Sequence, residues 1–70
     1  MTDKELRTKR TMIRAALLGM DARGQLHRVA LATGIFGGVE TLKKMIADEN
    51  EICIMDIVMI GMHFGITIDV

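Results

Sequence analysis

Breaks constrain this chain more than any other feature. Gly24, Gly34, the pair Gly37-Gly38, Asn50-Glu51 and Gly65 interrupt a sequence that contains no proline. Between them lie four segments with helical periodicity and a short tail with strand periodicity. Thr2-Asp3-Lys4-Glu5 has the pattern of a capping box, in which Thr2 accepts from the Glu5 amide. A first helix is expected from about Asp3 to Ala22, with Leu6, Ile13, Leu17 and Met20 on one stripe and Ala16 beside them. Arg7, Lys9, Arg10 and Arg14 lie largely off that stripe. Gly24 suits the left-handed position that stops a helix.

The second segment runs from Gln25 to Thr33 and ends at Gly34, with Leu26, Val29, Ala30 and Thr33 on a shared face. Ile35-Phe36-Gly37-Gly38 reads as a turn. A third helix follows from about Gly38 to Asp48, with Val39, Leu42, Met45 and Ile46 inward and Glu40, Thr41, Lys43 and Lys44 outward. In the fourth helix Ile54, Ile57, Ile60, Gly61 and Phe64 are expected to face the core. Gly65 ends it. Ile66, Ile68 and Val70 then alternate with Thr67 and Asp69, the period of a strand. A lone strand leaves its backbone groups unpaired. Glu51 to Ile54 is the one internal candidate to pair with it, and a second copy of the chain across a two-fold axis is the other. The fold class expected is therefore mainly α: one compact four-helix domain over residues 1–70 with a short C-terminal β-strand.

Seventy residues hold one small core. A chain of that size buries only about 60% of the surface its unfolded form exposes. Small domains compensate with disulfides, metals or oligomerisation. Cys53 is the only cysteine, so no internal disulfide forms. Cys53, His27 and His63 are too scattered for a zinc site, and neither metal nor cofactor is expected. Oligomerisation is the remaining route. Met55, Met59 and Met62 sit at i, i+4 and i+7 beside the isoleucine face of the fourth helix. A helix apolar on two sides is buried on two sides. Methionine repacks readily at adaptable surfaces. Met55, Met59, Met62, Ile66 and Ile68 are therefore the expected interface, in a homodimer or with another protein partner.

The charges are segregated although the chain is neutral overall. Residues 1–28 carry seven basic and three acidic groups, a net of +4, and residues 29–70 carry two and six, a net of −4. The basic half is compatible with phosphate contacts. The N-terminus lacks an apolar signal core, which points to a cytoplasmic protein. The apolar stretch from Ile52 to Ile68 contains Asp56 and His63 and falls short of the roughly 20 residues a span requires, so no membrane helix is expected. An enzyme is not expected either. The chain has no serine, Cys53 in its apolar run reads as a buried, inert thiol, and the glycines do not form a phosphate-binding loop.

Val29-Ala30 in the second segment, Gly34-Ile35 at the turn, and Val39 with Leu42 on the third helix resemble the helix-turn-helix of the Cro and lambda-repressor type regulators of phages and bacteria. The resemblance continues through Ile52-Cys53-Ile54, Ile57, Ile60, Phe64-Gly65-Ile66 and Ile68, and covers about residues 25–70. It departs from the family at the turn. Val39 and Leu42 come one position early, and Gly37-Gly38 replaces the polar side chains the family uses to read bases. The resemblance implies a phage- or prophage-type transcriptional regulator that binds double-stranded DNA as a homodimer. The helix from Gly38 would enter the major groove, with Thr41 and Lys44 toward bases or phosphates and the Gly37 and Gly38 amides close to a phosphate. Gln25 and Arg28 would brace the DNA backbone. The competing expectation is a protein-interaction module on the same helices, such as an anti-repressor, an antitoxin-like partner or an assembly subunit. The acidic second half and the methionine stripe point that way.

Overall fold

A computed structural model describes residues 2–66 of the chain. Four α-helices follow one another: α1 (Asp3–Ala22), α2 (Leu26–Thr33), α3 (Gly38–Ala47) and α4 (Ile54–Phe64), with a 3₁₀ turn at Glu49–Glu51 between the last two. The architecture is mainly α. Among the described residues there is no strand. Glu51 to Ile54 is not a pairing strand, because Glu51 closes the 3₁₀ turn and Ile54 opens α4. Of the expected strand only Ile66 lies within the described residues, and it is not in a strand; residues 67–70, including Ile68, lie outside the described residues. No helix among the described residues is long and apolar enough to cross a membrane.

Local signals set the helix ends. The Thr2 hydroxyl oxygen accepts from the Glu5 amide at 3.2 Å, one half of the capping box. At the far end of α4 the Ile66 amide donates to the Gly61 carbonyl at 2.8 Å and the Gly65 amide to Met62 at 3.4 Å. That pair of bonds is a Schellman closure. It turns Ile66 back so that it packs, half-buried, on the core. Gln25 caps α2 instead of joining it, and α3 stops one residue before Asp48.

The long helix α1 lies against α2, α3 and α4, and α2 also packs on α3 and on α4. α3 and α4 do not pack on each other. The core between them is Ile13 and Leu17 of α1, Leu26 and Val29 of α2, Ile35 of the turn, Leu42 and Met45 of α3, Ile52, and Ile57 and Ile60 of α4. Leu6, Met20, Val39, Ile46 and Phe64 pack around it. One core expectation is corrected. Ile54 is 56% exposed, whereas Ile52 is fully buried. The chain enters α4 from inside the core, so Ile52, just before the N-cap, takes the inward place and the first helical residue swings out.

Two arginines of α1 do more than face solvent. Arg10 Nε donates to the Ile52 carbonyl at 2.7 Å, and Arg14 Nε donates to the Ile46 carbonyl at 2.7 Å. Both side chains are half-buried. Ile46 lies in the last turn of α3, where helical carbonyls lack intrahelical partners and cations are favoured. Thr11 Oγ1 adds a bond to the Glu49 carboxylate at 3.2 Å. The polar flank of α1 therefore clips the connection between α3 and α4.

Candidate nucleic-acid interface

The residues expected to meet DNA lie at the start of α2, in the turn and along α3, with Lys44 in its last turn. Gln25 sits at the N-cap of α2, half-buried and without a side-chain capping bond, and Arg28 is exposed one turn into that helix. α2 stops at Gly34, whose left-handed backbone (φ 64°) lets its amide reach the Ala30 carbonyl at 3.0 Å. Ile35 then returns to the core, and Phe36 points the other way, 96% exposed.

Gly37 caps α3 with φ 87°, a conformation that side-chain-bearing residues avoid. A Cβ at that position would overlap the Thr41 hydroxyl. That hydroxyl is committed: Thr41 Oγ1 donates to the Phe36 carbonyl at 2.7 Å. The Gly38 amide meanwhile donates to the Ile35 carbonyl at 3.1 Å. The turn is thus pinned from both sides. Thr41 is half-buried and serves as a brace of the turn, which differs from its expected role as an outward DNA contact. The Gly38 amide is likewise occupied within the turn.

The outward surface of α3 consists of Glu40, Lys43, Lys44 and Ala47, all exposed. Lys44 stands where it was expected, and Lys43 shares the face. Among the described residues no ion pair ties Arg28 to Glu40 or Asp48. The basic character of residues 1–28 does not all reach solvent, because Arg10 and Arg14 are spent on main-chain carbonyls. The structure therefore brings Arg28, Gly37, Gly38 and Lys44 onto one helix pair and its turn, and withdraws Thr41 into the turn itself.

The expected interface lies on α4. Met55 is 64% exposed and Met62 78% exposed, whereas Met59 is half-buried. Ile54 and the half-buried Val58 complete an apolar outer face opposite Ile57, Ile60 and Gly61. Cys53 is exposed, which corrects the expectation of a buried thiol. It is the N-cap of α4, and the Asp56 carboxylate accepts from both its amide and its thiol at 3.1 Å. Sequence reasoning missed Phe36, Arg10 and Arg14. An aromatic in a glycine-rich turn was a usable signal for the first, but the carbonyls that hold the arginines lie 42 and 32 residues further along the chain.

No family model matches this chain, and neither a curated protein nor a solved structure matches it.

Proposed function

We propose that this protein is a helix-turn-helix DNA-binding transcriptional regulator, of the kind phages and prophages use as repressors, acting as a homodimer in the cytoplasm. The observation that carries this reading is the disposition of α3. Its inner face is held by α1 and α2, α4 does not pack on it, and Lys43 and Lys44 on its outer face are exposed, as is Arg28 on α2. That is the layout in which a second motif helix enters the major groove. A salt titration of binding to duplex DNA, followed by fluorescence anisotropy, tests it. Arg28, Lys43 and Lys44 give three phosphate-contact candidates per protomer, so a dimer should show a log–log slope of about −5. Absence of binding to any duplex at low salt overturns the proposal.

The homodimer would form through the outer face of α4. A standard interface covers about 800 Å² on each partner, more than one face of an 11-residue helix offers. Met62→Lys adds a charge to that face at a site 78% exposed in the monomer. It should shift a dimer to monomer in sedimentation while the variant stays helical by circular dichroism, its unfolding midpoint falling only by what dimerisation contributed. An unchanged mass removes α4 from the interface.

One observation favours a second reading, a protein-interaction module. The exposed apolar face of α4 is joined by Glu40 on the face of α3 that would meet phosphates. Under this reading duplex binding is absent while Met62→Lys still abolishes an association.

A further inference from the structure

The chain has two phenylalanines and neither tyrosine nor tryptophan. Phe64 packs against the core, while Phe36 is 96% exposed. Scattered exposed apolar residues are ordinary, but the backbone that carries this one is held in place. On its N-terminal side Ile35 is anchored in the core, and the Ile35 carbonyl receives the Gly38 amide at 3.1 Å. The carbonyl of Phe36 itself receives the Thr41 hydroxyl at 2.7 Å. On its C-terminal side Gly37 and Gly38 carry no side chains, so between buried Ile35 and half-buried Val39 the ring is the one side chain presented at the entry to α3. The backbone beneath the ring is therefore fixed, and nothing beside it competes for space.

A phenyl ring can neither donate nor accept a conventional hydrogen bond. Among the groups displayed in the major groove it can distinguish only the apolar one, the 5-methyl of thymine. We propose that Phe36 is the specificity-determining residue of this protein and packs on a thymine methyl in each half-site. The inference rests on the DNA-binding reading above. It accounts for a turn in which Gly37-Gly38 stands where polar base-reading groups are expected: readout passes to an apolar contact one residue earlier, and the glycines leave the ring room to approach the base edges.

The test uses the full chain and a pool of random-sequence duplexes. Sites are selected with the wild type, and each thymine is then replaced in turn by uracil, which pairs identically and lacks only the methyl. Anisotropy should find a thymine in each half-site whose replacement weakens binding about fourfold, equivalent to the ~0.8 kcal/mol of one buried carbon. Phe36→Ala should bind the thymine and uracil duplexes equally and keep the wild-type salt slope, since no charge is removed. Phe36→Leu should retain part of the discrimination. Because the ring is 96% exposed, the urea midpoint of Phe36→Ala should match the wild type, which separates lost readout from lost fold. If the wild type binds duplexes but every uracil replacement is silent, or equally weakening in wild type and Phe36→Ala, the thymine assignment fails while DNA binding stands. If the wild type binds no duplex at all, the DNA-binding reading fails and this proposal with it.

Discussion

Gly37→Ala confronts the turn with two separate costs, and the structure allows each to be sized. The backbone at Gly37 has φ 87°, and forcing an L-residue into the left-handed region costs roughly 1–2 kcal/mol. The new Cβ would also collide with Thr41 Oγ1, so the hydroxyl must leave the Phe36 carbonyl. A neutral hydrogen bond of this kind contributes about 0.5–1.5 kcal/mol. The expected loss is thus about 2–3 kcal/mol. A 70-residue domain has only about 3.5–10 kcal/mol of stability in total. In urea, with a slope of about 1 kcal/mol per molar for so small a chain, the midpoint should fall by about 2–3 M. Gly34→Ala is the control. Its φ is 64°, but a Cβ there meets nothing within 4 Å, so it should lose only the roughly 1–2 kcal/mol conformational part. Thr41→Ala should lose about 1 kcal/mol. The decisive measurement is the double variant. Thr41→Ala removes both the clash and the bond, so Gly37→Ala on that background should cost about 1 kcal/mol less than in the wild type. Strict additivity of the two substitutions would refute the claim that the Thr41 hydroxyl is what demands glycine at 37.

Three further outcomes are expected. Arg14→Met keeps the aliphatic stem but leaves the Ile46 carbonyl without its charged donor, and should lower stability by about 1–2 kcal/mol in urea unfolding. Ile60→Ala removes a fully buried side chain at the meeting of α4 with the core, with an expected loss of about 2–5 kcal/mol, enough to leave much of the chain unfolded by circular dichroism at room temperature. Cys53, exposed at the N-cap of α4, should alkylate with iodoacetamide without denaturant, and Cys53→Ser should be neutral or slightly stabilising because serine is a preferred N-cap residue.

Much of the fold was legible along the chain because helix ends are local events. A threonine three residues before a glutamate, a glycine free to turn left-handed, and an apolar stripe at helical spacing act within one or two turns of backbone. They placed α1 at Asp3–Ala22, put α2 and α3 within a residue of their observed bounds, and ended α4 at Gly65. The same periodicity identified Ile13, Leu17, Leu42, Ile57 and Ile60 as core, because a residue on the apolar face of an amphipathic helix has only one direction in which to leave water.

The tertiary structure decided everything that depends on a distant partner or on where a helix enters the core. Periodicity placed Arg10 and Arg14 off the apolar stripe, and only packing showed that the carbonyls of Ile52 and Ile46 come to meet them. It made Ile54 an inward residue, but the path of the chain into α4 gave that place to Ile52. It made Thr41 an outward residue, yet the fold of the turn brings the Phe36 carbonyl within reach of its hydroxyl. Composition suggested that the basic half of the chain was available to a ligand, while packing withdrew two of its arginines and left Phe36 in the open. The physical reason is common to these cases. A repeat of 3.6 residues states which way a side chain points relative to its own helix axis, and carries no information about what lies at the other end of that direction.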